Sequence, residues 1–206
     1  MSSEDAPMMT PEIDREPAYL ESLSKHGESY RDETTGRYGW RNPIRRDTGG
    51  LLRALVIASG ARRVLEIGTA HGLSALHLVC GWTAGDDVRL DTIEFDVAVA
   101  EAIQARMDRL GVPVHVCAGE ATEVIDTLSG HYDLVFFDAQ KNQYLRQLQA
   151  LLDRQLIGRG TVLVADNVID RQAECADFLQ WRIDHSVLHH IVPTECGLLV
   201  GQLERP

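Results

Sequence analysis

Val64-Leu65-Glu66-Ile67-Gly68-Thr69-Ala70-His71-Gly72-Leu73-Ser74 is the stretch around which this 206-residue chain is organised. It opens as a short apolar run between polar residues, which suits a buried parallel strand. It then crosses a loop with two glycines and enters Ala75, Leu76, Leu78 and Val79 at helical spacing. A strand that ends in a glycine turn at a helix N-terminus is where α/β proteins hold a nucleotide or nucleoside cofactor. Glycine spacing discriminates among cofactors. The dinucleotide fingerprint requires G-x-G-x-x-G. Here Gly68 and Gly72 stand with three residues between them, and Ala70 and Leu73 fill the remaining glycine positions. NAD and FAD are disfavoured. An α/β turn that binds nothing remains compatible with this stretch alone.

Outward from the motif, strands and helices alternate. Upstream, Asp47 to Ser59 reads as a helix with Leu51, Leu52, Leu55 and Val56 on its apolar face, capped by Asp47 or Thr48 and ended by Gly60. The motif itself supplies a strand from Arg63 to Ile67 and a helix from Gly72 to Gly81. Further strands are expected at Val88–Glu94, Val114–Cys117, Tyr132–Asp138 and Thr161–Asp166, with helices at Asp96–Leu110, Ala121–Leu128, Asn142–Arg154 and Arg171–Asp184. Val187–Val192 and Leu198–Leu203 read as a closing hairpin. This rhythm predicts an α/β fold: a Rossmann-like, doubly wound sheet of about seven strands, mostly parallel with an antiparallel C-terminal hairpin.

Residues 1–17, rich in Ser, Glu, Asp and Pro, are expected to be a disordered tail, and 18–206 a single domain. Within it, Ala18–Lys25 suits a short amphipathic helix. Tyr30–Pro43 reads as a loop whose Tyr30, Tyr38 and Trp40 form a lid, a subunit contact or packing on the domain edge.

Composition narrows the class. A net charge of −11 leaves no basic excess to grip a nucleic-acid backbone. No apolar run approaches a membrane span, and the N-terminal residues lack the basic and apolar regions of a signal peptide, so a cytoplasmic protein is expected. Cys80, Cys117, Cys175 and Cys196 are widely separated and form no C-x-x-C pair, which favours buried free thiols over zinc or redox chemistry.

In an open parallel sheet, ligands bind beyond the carboxyl ends of the strands. Acids stand at or near every such end but the third: Glu66 with Gly68, Glu94, Asp138, and Asp166 with Asn167. Glu94, 22 residues after Gly72, can accept from both ribose hydroxyls, as in NAD and S-adenosylmethionine sites. Ser74 and the free N–H groups around it suit a carboxylate, or simply a helix cap. Asp138, Asp166 and Asn167 make an all-oxygen set suited to Mg²⁺ or Ca²⁺. Zinc is a poor match there, and His185-x-x-x-His189 falls at a helix-to-strand boundary where its spacing loses meaning. Lys141, three residues after Asp138, could serve as a general base if a neighbouring cation lowers its pKa; alone it reads as a solvated helix-start lysine.

Together these residues resemble the cation-dependent O-methyltransferases, the group containing catechol and caffeoyl-CoA O-methyltransferases. The resemblance runs from about Pro43 to Asn167 and returns at the closing hairpin. It is carried by Val64–Leu76, Thr92-Ile93-Glu94, Gly119-Glu120-Ala121, Asp133–Leu145 and Val164-Ala165-Asp166-Asn167. The family implies S-adenosylmethionine bound by Glu66, Gly68, Ala70, His71, Gly72 and Asp138. Its ribose would lie on Glu94, its amino-acid end near Ser74 and its adenine near Glu120 and Ala121. It further implies Mg²⁺, or Ca²⁺ or Mn²⁺ in its place, on Asp138, Asp166 and Asn167, chelating adjacent hydroxyls of a small catechol-like acceptor. Lys141 would take the proton. A homodimer is the family-based expectation. Three features depart from the family: Gln140 replaces the usual second acid of Asp-Ala-Asp-Lys, His71 stands where an aromatic or threonine is usual, and Val168-Ile169-Asp170-Arg171 replaces a longer acceptor wall. A changed acceptor, or cofactor binding without turnover, therefore stands as the alternative.

Overall fold

The computed structural model describes residues 28–31, 38–41, 44–83, 85–185 and 187–204. The expected tail (1–17) and the helix over Ala18–Lys25 lie outside these residues. Part of the expected Tyr30–Pro43 loop is strand: β1 (Glu28–Arg31) and β2 (Tyr38–Arg41) pair antiparallel, with Tyr30 opposite Gly39. Aromatic residues favour extended backbone, and pairing across a short connection exploits that preference.

The main sheet takes β3 (Arg63–Ile67), β4 (Arg89–Glu94), β5 (Val114–Ala118), β6 (Leu134–Phe137), β7 (Val162–Ala165), β8 (Leu188–Val192) and β9 (Leu198–Gln202). Its seven strands run in the order β5-β4-β3-β6-β7-β9-β8. The pairings from β5 through β7 are parallel, while β9 is antiparallel to both β7 and β8. The expected sheet is observed. The chain reverses direction of growth between β3 and β6, so their carboxyl ends open a switch-point crevice.

The helices are α1 (Arg46–Ser59), α2 (Leu73–Val79), α3 (Val97–Leu110), α4 (Ala121–Ile125), α5 (Tyr144–Asp153) and α6 (Ala176–Asp184), with a 3₁₀ turn at Lys141–Gln143. α1 begins at Arg46, and Arg45 at its N-cap makes no side-chain capping bond; Asp47 instead accepts from the adjacent Thr48 N–H at 2.9 Å. Gly60 and Gly111 close α1 and α3 in the left-handed region, as their positions predict. The last helix starts at Ala176 rather than Arg171. The N–H groups of Val168, Ile169 and Asp170 are bonded to Gly197 and Cys196 carbonyls, which holds that segment in turns.

Strand alternation sorts the core into two layers. Leu65, Ile67, Val135 and Phe137 face one layer with α4, α5 and α6, whereas Val64, Leu134 and Phe136 face the other with α1, α2 and α3. In the first layer Phe137, Tyr144 and Phe178 meet with ring centroids 5.6–5.7 Å apart. Such pairs each contribute about 0.5–1.5 kcal/mol beyond area burial. This trio joins β6, α5 and α6 directly beneath the strand ends. All four cysteines are free; Cys80 and Cys175 are buried as expected, whereas Cys117 and Cys196 are half-buried.

Candidate active site

The motif strand β3 delivers Gly68 to the switch point at φ +94°. A Cβ there would lie 2.8 Å from the Asp138 carbonyl oxygen and 2.9 Å from the Ala139 nitrogen. Only glycine allows the two loops to approach so closely. Ala70 takes a left-handed φ of +48°, and the turn closes with Gly72 N–H bonded to the Thr69 carbonyl at 2.8 Å. Arg106, from α3, donates to the His71 carbonyl at 3.2 Å and braces the loop from behind.

Glu94 meets this loop from the neighbouring strand. Its Oε2 accepts from Ala70 N–H and its Oε1 from Asp96 N–H, each at 3.1 Å. The carboxylate thereby ties the motif loop to the end of β4. Burial raises the Glu120 carboxyl at the N-cap of α4, but the Thr122 hydroxyl and then the N–H groups of Glu123 and Thr122, all donating to it, hold it below the usual range. Ala121 is buried beside it.

Glu66 sits one residue inside β3, and the register pairs it with Thr92. It is fully buried, and the Thr92 hydroxyl donates to its Oε2. Burial pushes this carboxyl up to about 7, against the hydroxyls of Ser74, Thr92 and Thr69, with Asp138 adding to the rise. Ser74 is buried against Glu66, so its hydroxyl faces an acid of the same loop.

β6 and β7 bring the second group. Asp138 and Asp166 follow their strands: burial and then the Asp138 charge push Asp166 up to about 7. Asp138 is raised by burial, opposed by Lys141, whose Nζ lies 2.8 Å from its Oδ1. Burial pulls the Lys141 ammonium down, but Asp138 and Tyr144 outweigh it and hold the amine well above its usual range. Asp166 is 3% exposed, and its buried Oδ1 has no hydrogen-bond partner. An ionisable oxygen left bare beside a second acid fits a hard cation. Asn167 takes φ +63°, tolerated by Asn, and donates through Nδ2 to Asp170. Beneath them the Tyr144 hydroxyl donates to the Asp166 carbonyl at 3.2 Å.

Thus the residues named from the sequence fall into two adjoining groups, joined where Gly68 touches the Asp138 backbone. Three contributors escaped sequence reasoning: Thr92, Tyr144 and Asp170. The Asn167-x-x-Asp170 spacing was the one available signal. His185 and His189 do not converge: His185 caps α6 and stacks on Trp181 at 4.1 Å, while His189 contacts Arg182 and the Val187 carbonyl. Asp91, His115 and Cys117 also cluster, with ligand atoms within 4.8 Å of one another. The Asp91 carboxylate is already taken by Arg89 at 2.6 Å and by the Tyr132 hydroxyl at 2.8 Å, and the guanidinium repels a cation. No helix among the described residues is long and apolar enough to cross a membrane.

A family model described as O-methyltransferase matches residues 17–177. A catechol O-methyltransferase of Mycobacterium tuberculosis is 41% identical over 124 residues, covering 59% of this chain and 54% of that protein. The chain thus spans about half the length of the curated relatives it matches, 54% and 56% for two of them. The crystal structure of cofactor-bound Rv0187 from MTB aligns with a TM-score of 0.74 and 26% identity, covering 96% of this chain and 92% of that one. The O-methyltransferase TomG from Streptomyces achromogenes, solved in complex with SAM and involved in tomaymycin synthesis, aligns with a TM-score of 0.71 and 25% identity, covering 95% and 100%.

Proposed function

The chain belongs to the O-methyltransferase family, and on that premise we propose that it transfers a methyl group from S-adenosylmethionine to a hydroxyl of a small molecule with adjacent hydroxyls, in a divalent-cation-dependent reaction. The observation that carries this reading is the bare, buried Asp166 Oδ1 beside Asp138, with Lys141 Nζ against the same acid.

In this reading the loop from Glu66 to Ser74, with Glu94, Glu120 and Ala121, holds the methyl donor. Glu94, at the end of β4, orients the ribose through its carboxylate. Gly68 keeps the loop low enough for a ligand to lie across it. Asp138, Asp166 and the Asn167 amide oxygen hold Mg²⁺, for which Mn²⁺ or Ca²⁺ can substitute. Bound there, the cation would supply Lewis-acid polarisation of a chelated hydroxyl, and the sulfonium would supply an electrophilic methyl. Lys141 takes the hydroxyl proton at Nζ. To do so it must be neutral, so the Asp138 carboxylate that now favours its ammonium form has to be engaged elsewhere. Rigid placement of Lys141 by the 3₁₀ turn and the Tyr144 ring, 5.3 Å from Nζ, favours a near-attack geometry.

Cytoplasmic residence, a homodimer and a single domain over 18–206 belong to the same reading, supported by the acidic composition and the resemblance; light scattering tests the dimer. The decisive assay is methyl transfer to a simple catechol with and without EDTA. Activity abolished by chelation and restored by Mg²⁺ is expected, and activity that survives chelation rejects the cation. A second reading, cofactor binding without turnover, draws on the departures at Gln140, His71 and Val168–Arg171; calorimetric binding of S-adenosylmethionine with no transfer to a panel of phenols would favour it.

A further inference from the structure

Asn167 is the neutral member of the oxygen set, and an amide can present either its oxygen or its NH₂ to a cation. Only the oxygen binds one. What fixes the choice is Asp170, three residues on. Asn167 Nδ2 lies 3.2 Å from both Asp170 Oδ1 and Oδ2. An ionised carboxylate only accepts hydrogen bonds, so the NH₂ must face Asp170 and Oδ1 is left as the other end of the amide.

Asp170 is itself held in place. Its N–H donates to the Cys196 carbonyl at 3.2 Å, as does that of Ile169 at 3.0 Å, and the Val168 N–H donates to Gly197 at 3.1 Å. The turn between β8 and β9 thereby clamps the segment that follows Asn167. A Cβ on Gly197 would lie 2.3 Å from Ile169 Cγ1, so this contact is close along its length. The Arg171 N–H returns to the Asn167 carbonyl at 3.1 Å and completes the turn. An independent observation marks the same place as a ligand site: Asp166, 3% exposed, keeps an unpartnered oxygen there.

We propose that Asp170 is a positioning residue that locks the Asn167 amide with its oxygen toward the cation, acting through Asn167 rather than touching substrate or donor. The proposal rests on the divalent-cation reading above. Partners of this kind typically change metal affinity 10–100-fold when removed. Asp170 also adds negative charge at the site where Gln140 supplies none, but the orientation of Asn167 needs only its acceptor atoms.

The test is Mn²⁺ binding to the full chain, followed by electron paramagnetic resonance at pH 8. Asp170→Ala is expected to weaken Mn²⁺ about 10-fold or more. Asp170→Asn still offers an amide oxygen to Nδ2 without the charge, and is expected to stay within a few-fold of the unsubstituted protein. Asp170 is exposed, so both variants should keep the parental melting temperature. An Asp170→Ala protein that binds Mn²⁺ normally overturns the proposal, and so does Asp170→Asn as weak as Asp170→Ala, which would assign the effect to charge. If the unsubstituted protein binds no Mn²⁺, the cation reading itself fails and the proposal falls with it. A second readout needs no metal: in ¹⁵N-labelled protein the Asn167 side-chain amide protons should exchange slowly, and lose that protection in Asp170→Ala. Unchanged exchange also overturns the lock.

Discussion

Lys141 Nζ lies 2.8 Å from Asp138 Oδ1, with the two side chains only 11% and 14% exposed. In a pair this enclosed the acid holds the lysine as its ammonium form, whereas burial raises the Asp138 carboxyl in spite of the lysine beside it. The contact therefore reports a resting arrangement in which the proposed base is protonated.

Replacing Lys141 separates its proposed role from a packing role. Lys141→Ala is expected to lower turnover by about 10²–10⁴-fold, the range for loss of a positioned base. S-adenosylhomocysteine affinity, measured by calorimetry, should change little, because the proposed donor site does not use the Lys141 amine. Equal losses in both quantities would make the lysine structural.

Cation affinity should depend on pH with a definite sign. Burial and then Asp138 push Asp166 up to about 7, so below that value a cation must displace a proton. Mn²⁺ affinity is expected to fall as pH drops from 8 to 6, with proton release on binding. Calorimetry in buffers of different ionisation enthalpy measures that release; affinity flat across this range would contradict the assignment.

The same groups govern the cation-free stability. Asp166 and Glu66 are both raised to about 7, so between their unfolded values and 7 the folded state binds more protons than the unfolded one. Stability contributed by these two acids must therefore decrease as pH rises through that window. Urea melts at pH 5.5 and pH 8 should show the chelated protein less stable at pH 8, with Mg²⁺ restoring part of the loss only at the higher pH.

Glu94 ties two strands' loops together through Ala70 and Asp96. Glu94→Gln keeps one acceptor oxygen and turns an NH₂ toward a backbone N–H. Losing such charge-assisted bonds costs about 1.5–3 kcal/mol, so S-adenosylhomocysteine should bind roughly 10-fold or more weakly. A fall in melting temperature with unchanged affinity would leave Glu94 a purely structural brace.

Gly68→Ala tests the close approach of β3 and β6. The new Cβ meets backbone atoms at 2.8 Å, which cannot rotate away, in a left-handed conformation. A loss of at least about 1–3 kcal/mol is expected from backbone strain alone. Thermal melting should show a fall of several degrees together with weaker donor binding; an unperturbed protein would mean that the two loops can separate freely.

Much of this architecture is legible in the chain itself. Runs such as Leu134-Val135-Phe136-Phe137 are apolar on every residue because both sheet faces are covered, and glycines after helical patterns mark true ends at Gly60 and Gly111. The acids at strand ends are legible too, since strand identity and polarity place them on one edge. Helix starts are less so. Arg171 to Cys175 has helical composition, yet hydrogen bonds from the preceding residues to the β8–β9 turn keep it in turns.

What the sequence determined by itself was the alternation of strand and helix, the glycine turn at Gly68–Gly72 and the acids and amide at the strand ends, because these follow from local backbone preference and side-chain period. What only the tertiary structure decided was which of those groups are engaged. Glu66 faces Thr92 because parallel register pairs residues 26 apart, Lys141 is held by Asp138 through a turn seated on Tyr144, and Asn167 is turned by an Asp170 that a distant loop clamps. Register, burial and the clamp on Asp170 depend on neighbours remote in sequence, and no local pattern in the chain encodes them.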